Sequence, residues 1–225
     1  MAITVKELVE AGGHFGHQKR KWNPKMSEYI FTERKGIHII DAKKSCEMAT
    51  PLFEQIGNVA KNGNILFVGT KKQASALIEE IGKKTEQPYV NNRWLGGTLT
   101  NLKTIRKRVE RLKELENLFE TGDINVYPKK EQILMQKEMK KLERFLGGIR
   151  EMNYLPKAIF VIDSENEKNA IREAKKLGIK VFGLADTNSD PEDFDYFMPC
   201  NDDAIKVIEL VLNKVADAIN EAKVK

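Results

Sequence analysis

Along most of the chain, short apolar runs alternate with stretches of helical period. Ile65-Leu66-Phe67-Val68, Ala158–Ile162 and Val181–Ala185 lack polar alternation and end at Gly69, Asp163 and Asp186. Runs of that kind predict strands buried on both faces. Helical stretches are predicted over about Ala42–Lys61, Gln73–Lys84, Asn166–Leu177 and Asp202–Lys223, with Asn62-Gly63 and Gly178 as stops. Tyr89-Val90 reads as a small strand. Strands alternating with helices predict a parallel sheet covered by helices on both faces, a three-layer α/β/α sandwich.

Two regions break this rhythm. At the start, Thr4-Val5-Lys6-Glu7 has the form of a capping box, opening a short helix that Gly12-Gly13 stops. A loop with two histidines and a basic cluster follows, from His14 to Lys25. Tyr29–Phe31 and Ile37–Ile40 are then β-prone runs on either side of a turn at Glu33–Gly36. In the middle, Leu102, Ile105, Val109, Leu112 and Leu115 recur at helical steps, as do Met135, Met139, Leu142, Phe145 and Ile149. The two stripes flank a break from Thr121 to Pro128 and are narrow, with mostly Lys, Arg and Glu between. A stripe so narrow favours two helices closed on one another as an antiparallel coiled-coil hairpin over two helices lying flat on the core. The expected division is therefore 1–101 with 150–225 as the sandwich, 102–149 as the insertion, and about 12–36 as a basic N-terminal segment within the first part.

Composition sharpens this picture in a few places. The 225 residues are 41% hydrophobic and 32% charged, with a net charge of +5. There is ample material for a core, and the small basic excess matters through its placement. Lys and Arg crowd into Gln18–Lys25, Lys71-Lys72, Arg93 and Lys103–Lys113, whereas aspartates gather late, at Asp186–Asp195 and Asp202-Asp203. Cys46 and Cys200 form no CxxC pair, which argues against a zinc finger or disulfide framework. No apolar run approaches a membrane span of about 18 residues, and no leader pattern opens the chain. A soluble, cytoplasmic protein without membrane contact is expected.

Enzyme chemistry finds little support. Phe67-Val68-Gly69-Thr70-Lys71-Lys72 has the strand–Gly–Lys order of a phosphate loop but lacks the GxxxxGK[ST] spacing, and no GxGxxG occurs. Asp163, Asp186 and Asp202 could converge at the C-terminal edge of the sheet, as in a metal-dependent phosphotransferase. Turn and helix-cap chemistry explains the same aspartates. His17, Asp186 and Asp202 are the candidate ligands for a structural or adventitious divalent ion, magnesium or zinc; no cofactor is required.

Signals for nucleic acid are stronger in combination. Lys19, Arg20, Lys21, Trp22 and Lys25 mix cations with an indole that could stack on a base. Arg93, Trp94, Gly96, Gly97, Thr98 and Asn101 repeat that mixture, and paired glycines let a backbone approach a phosphate. The plain alternative for each loop is a solvated turn whose tryptophan is tucked into the core. Two such loops leading into Lys103, Arg106 and Arg108, with Lys71 and Lys72 nearby in type, favour RNA.

These segments resemble those of a known family. Gly13–Gln18 with Trp22–Met26, Phe67–Lys71, Asn92–Asn101, Leu155–Asp163, Asp186–Pro191 and Asn201–Ile205 are similar, in order, to the motifs of the bacterial small-subunit ribosomal protein S2 family. The resemblance implies a flavodoxin-like sandwich with an inserted coiled-coil hairpin and a structural role in translation. It implies partners too: small-subunit ribosomal RNA and neighbouring proteins including ribosomal protein S1, with no homo-oligomer in the assembled particle. The ribosome would be cytoplasmic, or organellar. Cys200 stands where the family usually has glycine.

Overall fold

The computed structural model describes residues 2–224. The capping box forms at Thr4: its hydroxyl accepts from the Glu7 amide at 3.2 Å, and the Glu7 carboxylate accepts from the Thr4 amide at 2.8 Å. Helix α1 (Val5–Ala11) ends at Gly12, whose φ of +87° suits glycine. Strands β1 (Phe15–Gln18), β2 (Ile30–Arg34) and β3 (Ile37–Ile40) then build an antiparallel sheet in the order β1-β3-β2. Lys35 and Gly36 both take positive φ in the β2–β3 turn, the geometry that matches strand twist in a tight hairpin.

Helix α2 (Ala42–Ala60), capped by the Asp41 carboxylate, leads into the main sheet. Its strands are β4 (Ile65–Val68), β5 (Tyr89–Val90), β6 (Ala158–Ile162), β7 (Lys180–Ala185) and β8 (Tyr196–Pro199). All pair in parallel in the order β5-β4-β6-β7-β8, the flavodoxin-like winding. Helices α3 (Lys72–Thr85), α4 (Leu102–Thr121), α5 (Lys129–Leu146), α6 (Lys168–Lys176) and α7 (Ile205–Val224) complete the chain.

Side-chain alternation along the strands makes two cores. One face, with Ile65, Phe67, Phe160 and Phe182, packs on α2, α3 and α7. The other, with Leu66, Val68, Ile159, Val161 and Val181, packs on α6, the start of α4 and the residues that end α5. Register places Tyr89, Phe67, Phe160, Phe182 and Tyr196 in one row across all five strands. Phe67, Phe160 and Phe182 are fully buried, and burying each side chain is worth about 2–3 kcal/mol. The sheet's centre is a packed interior.

The middle segment is helical as its periodicity requires. Ile105, Val109, Leu146 and Ile149 join the second core, whereas the buried Leu112 and Leu115 lie in neither core. Arg111 reaches Glu138 across the two helices at 3.5 Å, and Arg150 contacts Glu116 and Glu143.

Three expectations are corrected, and one strand went unpredicted. Phe15–Gln18, read as loop, is a strand, because pairing with β3 overrides its glycine and histidine. Tyr196–Pro199 is a strand that the sequence hid: it follows a turn-rich stretch and carries a proline, which only an edge strand tolerates. Helix α6 starts at Lys168 rather than Asn166. Helix α7 starts at Ile205, and it is Asn201 whose side chain accepts from the Asp203 and Ala204 amides ahead of it.

Candidate nucleic-acid interface

In sheets wound this way ligands usually enter the crevice where strand order reverses, here between the C-terminal ends of β4 and β6. Lys71 follows β4 and points into that crevice. Its ammonium lies 3.2 Å from Asp163, 2.8 Å from Asp202 and 2.6 Å from Asp203. Asp163 takes a positive φ of 68°, an uncommon strain for a non-glycine residue. Its carboxylate also holds the Asn166 amide and side chain. Burial disfavours the Lys71 ammonium, but the surrounding carboxylates outweigh it and raise its pKa above the ordinary value. In this fold Lys71 serves as a structural cation, where contact with RNA had been expected.

The N-terminal sheet seals the crevice from outside. The His17 amide donates to the Thr187 hydroxyl at 2.8 Å, the Asn23 amide to the Thr187 carbonyl at 2.7 Å, and the Asn201 amide to the Gly13 carbonyl at 3.0 Å. A Cβ on Gly16 would sit 2.5 Å from Thr187, so the strand lies tight against that turn. The His17 ring bridges Asp186, 3.0 Å from Nδ1, and Asp203, 3.5 Å from Nε2. The hydrogen bond to Asp186 raises the histidine's pKa, against the effect of burial. Burial first, then Asp186 and Asp163, push Asp202 up to about 7, with Lys71 opposing.

Of the expected metal ligands, His17 and Asp202 come together, but the third member is Asp203. Their donor atoms lie within 4.8 Å of one another, and Asp202 Oδ2 is buried without a hydrogen-bond partner among the described residues. Those three would hold a divalent ion, with Asp186 behind the imidazole orienting it. The same carboxylates already share Lys71, so an ion would add to an existing cation.

The Asn92–Asn101 loop has a different internal logic from the one expected. Glu173, on α6, gathers five donors. Its Oε1 accepts from Trp94 Nε1 at 2.9 Å and the Gly97 amide at 2.8 Å. Its Oε2 accepts from the Leu99 amide, the Thr100 amide and the Thr100 hydroxyl, each at 3.0 Å. Burial would raise its pKa, yet these donors hold it below the ordinary value. Trp94 is only 8% exposed and its N–H is taken, so in this fold the indole serves the second core and Glu173, where stacking on a base had been expected. Gly97 approaches this carboxylate, not a phosphate, and the Thr98 hydroxyl is buried against the Leu95 carbonyl at 2.6 Å. A related substitution occurs after β4, where the Thr70 amide and hydroxyl both donate to Glu167. The phosphate-loop-like segment therefore encloses a carboxylate of its own chain.

What remains outward is cationic. Arg20, Lys21, Lys72, Arg93, Lys103, Arg106 and Arg108 are exposed and make no ion pair among the described residues. Gly96 and Asn101 lie exposed beside them, and Trp22 is half-buried against His38 with ring centres 5.1 Å apart. Lys19 pairs with Glu33, and Lys25 with Asp190 and Glu192. Exposed pairs of this kind are worth at most about 1 kcal/mol, so a phosphate can replace the carboxylate. Sequence reasoning missed Glu167 and Glu173, which carry no local signature, and Tyr154, which is 84% exposed next to the Asn153 carbonyl that accepts from Arg106. Among the described residues no helix is long and apolar enough to cross a membrane. The family described as ribosomal protein S2 matches residues 8–222 of the chain.

Proposed function

The chain belongs to the ribosomal protein S2 family and is therefore a small-subunit ribosomal protein serving translation; from that premise we propose that it acts as a structural rather than catalytic component. In this reading its loops and α4 bind ribosomal RNA by electrostatic anchoring. One observation carries it: the crevice where an α/β enzyme would hold a substrate is filled by Lys71, Asp163, Asp202 and the N-terminal sheet, while unpaired cations line the outside. Each phosphate that a Lys or Arg neutralises releases counterions, so affinity falls with salt by about 0.7–0.9 in log–log slope per contact. Arg20, Lys21, Arg93, Lys103, Arg106 and Arg108 are the principal contacts, with Lys19, Lys25 and Lys72 supporting them.

Docking of ribosomal protein S1 is part of the same proposal. Its support is the apolar surface of the N-terminal region, where Val5, Val9 and Phe15 are nearly half exposed and Phe31 is 74% exposed. Apolar groups gathered on one region favour a protein partner over solvent.

The test is binding of purified chain to small-subunit ribosomal RNA across a salt series. Arg93→Ala with Arg106→Ala should lower both affinity and salt slope while the melting temperature stays put, since both side chains are exposed. Equal binding by the double variant would defeat the assignment.

A further inference from the structure

We propose that Glu173 is a positioning residue for RNA recognition, one that acts through the Asn92–Asn101 loop without touching RNA itself. This rests on the reading above that Arg93 and α4 bind RNA. Trp94 and Leu99 anchor the loop's two ends in the second core, but its middle, Gly96-Gly97, has no side chain with which to fix its own shape. That middle is held by what satisfies the backbone around it. Glu173 does so: the amides of Gly97, Leu99 and Thr100, a hydroxyl and an indole converge on its two oxygens within 3.0 Å. The Gly97 φ of +90° turns that amide inward. Charge-assisted hydrogen bonds of this sort are short and strong. They fix the residues on both sides: Arg93 precedes the bonded Trp94, and Asn101 with Lys103 follows the bonded Thr100 into α4.

Because the carboxylate occupies the loop's inner face, RNA meets the outer one. Glu173 thus supplies, from within, the anion that would otherwise be sought from a phosphate. Without it the amides would turn to water, and Arg93 and the first turn of α4 would lose their common frame.

The decisive experiment is a double-variant cycle on the full chain, using Glu173→Gln, Arg93→Ala and their combination, with small-subunit ribosomal RNA as the probe over a salt series. Glu173→Gln should weaken binding about tenfold, the scale of one charge-assisted contact. It should also lower the salt slope by about 0.7–0.9, and the combined variant should bind no worse than Arg93→Ala alone. A purely structural role would lower the melting temperature yet leave slope and additivity as they were, which overturns the proposal. Tighter binding by Glu173→Gln would overturn it too, since the carboxylate would then be blocking a phosphate cradle. If Glu173→Gln does not fold, Thr100→Ala removes one of the five donors, the hydroxyl, while keeping the amide and leaving α6 untouched, and is expected to act in the same direction. Wild-type chain that fails to bind RNA would sink the RNA reading and this proposal together; wild-type binding with no change in the variants sinks Glu173 alone.

Discussion

A lysine that follows a strand and a glycine looks the same in sequence whether it meets a phosphate or a carboxylate. Lys71 was expected on RNA and instead neutralises Asp163, Asp202 and Asp203. Removing one partner of a buried charge cluster leaves the others uncompensated, which typically costs about 3–5 kcal/mol. Lys71→Met should therefore shift the urea midpoint sharply downward; a loss under about 1 kcal/mol would mean the carboxylates do without it. Trp94 teaches a similar lesson. Its setting beside Arg93 and glycines suggests stacking on a base, but the indole has a partner 79 residues away in sequence, and no local pattern announces Glu173. Exposed cations were legible because they need no partner. Paired ones were not, because their partners lie far along the chain.

Helices and central strands were legible for the opposite reason: their periodicity reflects burial that is uniform along the element. Strands β4, β6 and β7 are buried on both faces and read as unbroken apolar runs. Strands β1 and β8 depend on a neighbour for their pairing and left little trace. Helices α4 and α5 have narrow apolar stripes, and their fully buried Leu112 and Leu115 contribute to neither sheet core. Truncating such a leucine costs about 2–5 kcal/mol. Leu112→Ala should spend that loss locally, speeding hydrogen exchange in α4 and α5 while amides of β6 and β7 stay protected. Uniform deprotection across the sheet would show that the two helices are welded to the main core.

At the scale of the molecule, the winding of the sheet and the docking of the N-terminal segment together decide the chemistry. The parallel sheet was foreseen from alternating strands and helices, and its winding from the family resemblance; that the crevice is closed by its own chain was not, since closure is a matter of long-range contacts. A nucleotide that found a site there at a hundred times its dissociation constant would add about 2.7 kcal/mol of stability. Millimolar ATP with magnesium should leave the melting temperature unchanged, and a rise of several degrees would revive the phosphotransferase alternative.

The contact of His17 with Thr187 joins groups 170 residues apart. During synthesis at roughly 5–20 residues per second, the basic N-terminal segment waits on the order of 10–35 s for the turn that will hold it. For that interval Arg20 and Lys21 are tethered only by an unfinished chain, in a cell crowded with polyanions. Over the same interval Lys25 and Lys71 lack the Asp190 and Asp202 carboxylates that will pair with them, so the charge of the newborn chain is settled by how quickly its last quarter arrives.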